Sequence, residues 1–220
     1  MPFAYIIEHM EEDDESSKTI PKWVELEYKH MQTLAGKEDQ IHFSHVSSTS
    51  RTTLQQVFSS QSDEEQATKA RADAHTIGVL GLMKESGVPL EKVCLLDPKA
   101  SKELSPEDGD GRFEWFLFGG ILGDDPPRDR TSELRVLGFP NRHLGPVQMT
   151  TDTALGVTKI VVEDKVALSA IKYIDYPTIV FNPKESVEMP FRYIAVNGEP
   201  LLPPGMHEHL HEDLNKSFEF

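Results

Sequence analysis

The run Glu114-Trp115-Phe116-Leu117-Phe118 breaks directly into Gly119-Gly120-Ile121-Leu122-Gly123. A short, continuously apolar stretch of aromatic residues reads as a buried strand, and the glycines after it as a loop. Phe3-Ala4-Tyr5-Ile6-Ile7 and Lys92-Val93-Cys94-Leu95-Leu96 also read as strands, and Ile41-His42-Phe43-Ser44-His45-Val46 alternates as a further strand would. Helical stretches separate them. Thr19 and Pro21 open a helix whose Trp23, Val24, Tyr28, Met31 and Leu34 share one face, and Gly36 ends it. A second helix covers 77–86 before Gly87, a third covers 131–137, and a fourth begins at Thr150. Strands alternating with helices predict an α/β domain with a mostly parallel sheet flanked by helices.

The remaining segments fill out one domain of 220 residues. Asn141-Arg142-His143-Leu144 suits a short strand, 173–181 a further one, and 191–201 a hairpin turning on Asn197-Gly198. A C-terminal helix follows Pro203-Pro204-Gly205, so the hairpin and helix make a small unit over 189–220. Residues 47–75 are polar with few large apolar anchors, and they read as a surface helix within an insertion.

Charge narrows the partners. The chain has 37 acids against 22 Lys and Arg, for a net charge of −15. Nucleic-acid binders present basic surfaces, so this balance argues against nucleic acid as substrate and suits a basic protein. The lone Cys94 lies in an apolar run and reads as a buried structural thiol in a reducing compartment. No secretory signal and no bilayer-length apolar run is visible, so a cytoplasmic location without membrane contact is expected.

Two loops stand out as a ligand site. In open α/β sheets ligands sit beyond the carboxyl ends of the strands. Gly119, Gly120 and Gly123 follow such an end and permit close approach of backbone to a ligand. Farther on, Leu144-Gly145-Pro146-Val147-Gln148-Met149 leads into Thr150-Thr151-Asp152-Thr153-Ala154, a Thr/Asp-rich helix start. Ile121, Leu122, Leu144 and Met149 suit the faces of a nucleoside base, and Thr150, Thr151 and Thr153 supply hydroxyls. The glycine spacing is neither that of a dinucleotide fold nor that of a P-loop.

The second loop resembles the cofactor loop of the SPOUT methyltransferases, often written LGxxILRxETA, and Phe118 to Gly123 resembles the glycine loop that precedes it. The likeness reaches a fungal branch of the family that methylates arginine in small-subunit ribosomal protein S-three. It is carried by Tyr5-Ile6-Ile7-Glu8-His9-Met10-Glu11-Glu12, Val93-Cys94-Leu95-Leu96-Asp97-Pro98, Ile174-Asp175-Tyr176-Pro177 and Glu188-Met189-Pro190-Phe191-Arg192-Tyr193. The resemblance implies a deep C-terminal trefoil knot, S-adenosylmethionine bound in a bent pose, a monomer, and a basic small-subunit ribosomal protein as partner. It implies cofactor contacts from Phe118, Gly119, Gly120, Gly123, Leu144, Gly145, Gln148, Met149, Thr150, Thr151 and Thr153. Met149 stands where the RNA-modifying pattern often has Arg, and Asp152 where it has Glu.

Moving a methyl group from a sulfonium to an arginine brings two cations together, and carboxylates are the groups that can screen and orient them. Glu8 and Asp152 form the leading catalytic pair, with Glu11, Glu12, Asp124 and Asp125 as further candidates. Asp152 has an equal claim as an acid favouring the helix dipole. Arg128 and Arg130, alternating with Asp125 and Asp129, suit local pairing more than phosphate binding. His207, His209 and His211 lack a completing Cys, so no metal is expected. An RNA methyltransferase of the same fold and a non-catalytic ribosome-binding module are the competing functions.

Overall fold

The computed structural model describes residues 2–10, 12–120, 129 and 131–216. The first two-thirds of the chain run β1 (Ala4–Glu8), α1 (Lys22–Ala35), β2 (Gln40–Ser44), α2 (Ser48–Ser59), α3 (Asp63–Gln66), β3 (Arg71–Ala74), α4 (Val79–Ser86), β4 (Val93–Leu96), β5 (Trp115–Gly119), α5 (Ser132–Arg135), β6 (Asn141–Arg142) and α6 (Thr151–Val162). The six strands form one sheet in the order β3-β2-β1-β5-β4-β6, with every pairing parallel. The strand order turns back at β1 and β5, where Ile7 pairs with Phe118 and Glu8 with Gly119.

Alternation along each central strand sorts the core into two layers. Tyr5, Ile7, Cys94, Leu96, Phe116 and Phe118 face Val24, Tyr28 and Met31 of α1 and Leu155, Val157 and Val161 of α6. Ile6, Val93, Leu95, Trp115 and Leu117 face Val79, Leu82 and Met83 of α4 on the other side. Burial pushes the Cys94 thiol up to about 12, which leaves it unreactive at neutral pH. Among the described residues, no helix is long and apolar enough to cross a membrane.

The remaining elements are β7 (Tyr173–Asp175), β8 (Thr178–Asn182), β9 (Glu185–Glu188), β10 (Arg192–Val196), β11 (Glu199–Pro200) and α7 (Met206–Lys216). β10 lies between β7 and β11 in a small antiparallel sheet, and β8 and β9 form a separate hairpin. Asn197 and Gly198 both have φ in the left-handed region, as the turn between β10 and β11 requires.

Three local expectations change. The stretch read as polar insertion holds α2 and α3 and ends in β3, which adds an edge strand beside β2. The stretch 173–181 is two strands, because Tyr176 takes φ +51° and Pro177 follows it. Helix α5 spans only four residues, one turn of the seven expected.

One buried acid makes fold stability depend on pH. Asp39 accepts a hydrogen bond from the Phe3 N–H at 2.8 Å, while Glu163 accepts one from the Tyr5 hydroxyl at 2.6 Å. Burial first, and then the adjacent Glu163 carboxylate, push Asp39 from 3.8 up to about 7. A folded-state value above the unfolded one means this group costs nothing below about pH 4 and destabilises increasingly as pH rises toward 7. Asp39→Asn keeps the acceptor for Phe3 and removes that cost. It is expected to raise the melting temperature at pH 8 and leave it unchanged at pH 4. Equal shifts at both values in thermal denaturation would refute the assignment.

Candidate functional site

The cofactor-type loops are distant in sequence and meet at the carboxyl ends of β4, β5 and β6. They enclose a cavity of about 310 Å³. Phe118 and Gly119 contribute from the end of β5, and Leu144, Gly145, Gln148 and Met149 from the loop after β6. Thr151 and Ala154 enter from the first turn of α6. Leu96, Asp97, Pro98 and Lys99, at the end of β4, complete it together with Asp129 and Thr131.

The loop after β6 is held from both ends. Gly145 has φ +97°, a conformation strained for other residues, and its N–H donates to His143 Nδ1 at 3.1 Å. At the far end the Arg192 N–H donates to the Gln148 carbonyl at 2.8 Å, so β10 braces the loop. The Arg192 guanidinium makes a two-pronged contact with Asp175 at 2.6 and 2.8 Å and lies over the Tyr173 ring. On the other wall, Arg135 grips Asp97 at 2.6 and 2.7 Å and also bonds Asp129, which Lys99 reaches at 2.6 Å. Asp129 is thus held by Arg135 and Lys99, while the other members of the alternating charge run lie outside the described residues. The bidentate Asp97 pair holds the end of β4 against α5.

Not every predicted residue lines this cavity. Gly120 packs against the chain leaving β1: a Cβ there would stand 2.4 Å from the Glu8 carbonyl oxygen and 2.7 Å from the Met10 nitrogen. Its lack of a side chain serves that close approach. The Thr153 hydroxyl accepts from Thr150 Oγ1 at 2.8 Å within the helix start. Gly123, Ile121, Leu122, Asp124, Asp125, Arg128, Arg130 and Glu11 lie outside the described residues.

The structure also parts the leading carboxylate pair. Glu8 Oε2 accepts from the Ser44 hydroxyl at 2.5 Å and from the Val79 N–H at 2.8 Å. It joins β1 to β2 and caps the start of α4, where a negative charge meets the helix dipole. Glu8 lines neither of these two cavities, and the contacts it makes among the described residues join elements of the fold.

Asp152 is placed differently. It points from α6 into a second cavity of about 220 Å³, on the other side of the helix start from the first. Met149 and Thr151 line the first cavity while Thr150 and Asp152 line the second, so one turn of backbone divides them. Asp152 is fully buried and its Oδ2 lies 2.7 Å from His30 Nδ1 of α1. Glu27, one helical turn before His30, and Tyr193 of β10 share the second cavity with it. Burial first, and then the nearby Asp152, push the Glu27 carboxyl well up. Burial followed by the same two acids raises Tyr193. Glu27, His30 and Tyr193 were not among the sequence candidates. The legible signal was their position: Glu27 and His30 interrupt the apolar face formed by Val24, Met31 and Leu34.

The C-terminal histidines go separate ways. His209 faces Asp213, while His211 faces Glu185 and stacks on Phe181, whose edge meets His207. Among the described residues, no cluster of three or more His, Cys, Asp or Glu comes together as a metal site.

Comparison with known proteins agrees with this architecture. The chain is 40% identical over 220 residues to the protein arginine N-methyltransferase SFM1 of Saccharomyces cerevisiae, covering 98% of this chain and 97% of that one. The crystal structure of yeast arginine methyltransferase SFM1 complexed with SAM superposes with a TM-score of 0.77 at 36% identity, over 97% of this chain and 92% of the other. The full-length spTrm10–SAH complex matches in fold alone, with a TM-score of 0.51 at 11% identity over 76% of this chain and 92% of the other. The fold is thus the SPOUT-like α/β architecture that the loop sequences implied. The family described as protein arginine N-methyltransferase SFM1-like matches residues 4–217, and this chain belongs to it.

Proposed function

We propose that this protein transfers a methyl group from S-adenosylmethionine to an arginine of a basic small-subunit ribosomal protein. Family membership makes it an S-adenosylmethionine-dependent protein arginine methyltransferase. The observation that supports this most directly is the convergence of the 118–119 and 144–149 segments on one cavity. Leu96, Leu144 and Met149 offer apolar surface for a base, and Gly119 and Gly145 expose backbone for its polar edge.

Transfer is an in-line displacement. A guanidinium nitrogen attacks the methyl carbon, the carbon–sulfur bond breaks to give S-adenosylhomocysteine, and the nitrogen sheds a proton. In this reading Asp152, which lines the second cavity, orients the acceptor and offsets the two adjoining positive charges. The trefoil knot belongs to the same proposal: it would hold the loop after β6 against the end of β5 without any disulfide. So do a monomeric state and a cytoplasmic location. The ribosomal acceptor is supported by the charge of −15, which suits a basic protein and repels RNA.

The test is transfer of label from S-adenosylmethionine to small ribosomal subunits from cells lacking this protein. Label should vanish with protease, survive RNase and be recovered as methylarginine in one ribosomal protein. Label lost only with RNase would replace this reading with RNA methylation.

A further inference from the structure

Two residues that line the second cavity each carry a buried polar atom without a partner among the described residues. Glu27 Oε2 and the Tyr193 hydroxyl are both buried and have no hydrogen-bond partner among the described residues. Burying such groups unpaired is costly, and a bound ligand, water or ion is what ordinarily completes them. Both line one cavity with the Asp152 carboxylate, so the base of that cavity has acceptor capacity concentrated from three elements, α1, α6 and β10.

The chemistry of the missing ligand follows from that set. Burial first, and then the neighbouring Asp152 carboxylate, hold the Glu27 carboxyl up, so a second negative charge is disfavoured here. A ligand with a positive charge offsets that. A planar ligand with several N–H donors satisfies two carboxylates and a phenol oxygen at once, which an ammonium point charge does less well. The rest of the lining is largely apolar. Trp23, Phe191, Met189, Leu202, Met206 and Leu210 share the cavity with half-exposed Asp213 of α7. An apolar shaft suits a methylene stem, and an aromatic wall suits a cation.

Resting on the methyltransferase reading above, we propose that Glu27, Asp152 and Tyr193 form the seat for the acceptor guanidinium. The arginine enters past α7, through the second cavity, while the donor occupies the first. The helix start 149–152 is the shared wall, with alternate residues facing each side. In this arrangement the C-terminal unit forms one flank of the acceptor channel, because Met206, His209, Leu210 and Asp213 of α7 all line it.

The experiment uses the full chain loaded with S-adenosylhomocysteine, comparing wild type with Glu27→Gln and Tyr193→Phe. The probe is N-acetyl-arginine methylamide, with the lysine analogue as control, and binding is followed by NMR shifts of the Trp23 indole. Wild type should bind the arginine probe better than the lysine probe. Glu27→Gln should weaken arginine binding and lower turnover on the protein acceptor by about 100-fold. S-Adenosylmethionine affinity should stay constant and the melting temperature should be equal or higher, since a structural acid would show the reverse. Tyr193→Phe should weaken the same binding by a smaller factor.

Wild-type affinity for the arginine probe in Glu27→Gln, or equal binding of both probes by wild type, would overturn the seat. The probe arm does not depend on which macromolecule is methylated. Loss of the ribosomal acceptor with arginine binding intact would refute only the substrate in the previous section.

Discussion

Asp152→Asn should lower the rate of methyl transfer about 100- to 1000-fold while leaving the fold and donor binding in place. Three observations set that expectation apart from generic damage at a helix start. The side chain lines the second cavity, not the one formed by the cofactor-type loops, so its charge is removed from the acceptor side alone. Asn retains an oxygen or an amide at 2.7 Å from His30 Nδ1, whichever the imidazole tautomer requires, so the contact between α1 and α6 survives. Thr150 and Thr153 keep their hydroxyl bond, so the helix start keeps its side-chain link. In the proposed arrangement the change therefore deletes one negative charge facing a cationic acceptor. Losing a preorganised charge of this kind raises the barrier in proportion to the charge it was meeting. Steady-state kinetics should show the fall in kcat, with the dissociation constant for S-adenosylmethionine within about twofold of wild type. If Asp152 only favoured the helix dipole, its replacement would cost well under about 1 kcal/mol of stability and turnover would persist. Near-wild-type kcat would decide for that second role.

The contrast between Asp152 and Glu8 shows what the sequence could convey about the site. Glu8 ends a strand and Asp152 opens a helix, and local pattern does not show which of them faces a cavity. Glu8 meets Ser44 and the start of α4, two partners from segments 36 and 71 residues away. The first cavity was legible because two contiguous loops with their own signatures make most of it. Even there, Leu96, Asp97, Lys99 and Asp129 joined only in three dimensions. The second cavity was not legible as a site, because it is assembled from α1, the start of α6, the approach to β10 and α7. A polar pair on an apolar helix face was its one local trace, and Glu27 and His30 supplied it.

The fold divides in a similar way. The four central strands were visible because burial on both faces demands apolar runs, and β1, β4 and most of β5 are buried throughout. Edge strand β3 escaped because Arg71-Ala72-Asp73-Ala74 needs only one neighbour and covers little core. The β8–β9 hairpin escaped for a related reason. Exposed residues alternate along it with half-buried ones, Ile179 is its only buried one, and Val180 is largely exposed. Gly120 was read as making room for a ligand, and the room it makes is for the backbone of β1's exit.

Breaking the ion pair between Arg142 and Asp108 should cost about 3–5 kcal/mol of stability in Asp108→Ala. The guanidinium donates to the two carboxylate oxygens at 2.8 Å each, and both side chains are buried. Its third arm bonds the Asn141 carbonyl at 2.7 Å, and it lies over the Phe113 ring. Asp108 in turn accepts from the Ser105 N–H at 3.1 Å and closes the helical turn Pro106–Gly109. That turn abuts the last residue of α6, where a Cβ on Gly109 would stand 2.2 Å from the Val162 carbonyl oxygen. The pair thus joins the edge of the sheet to the far end of the helix whose start forms the site. Removing the carboxylate leaves a buried cation with no counterion, and that is the costly state. For a domain of this length the expected fall in melting temperature is about 10 °C. Donor affinity should fall with it, because β6 leads into the loop 144–149. Replacing both partners by apolar residues of similar size, as in Arg142→Met with Asp108→Leu, should recover much of the loss, since no charge is then stranded. Thermal denaturation of the single and double variants decides the matter. A double variant as unstable as Asp108→Ala would mean that the hydrogen bonds to Ser105 and Asn141, rather than the stranded charge, account for the loss.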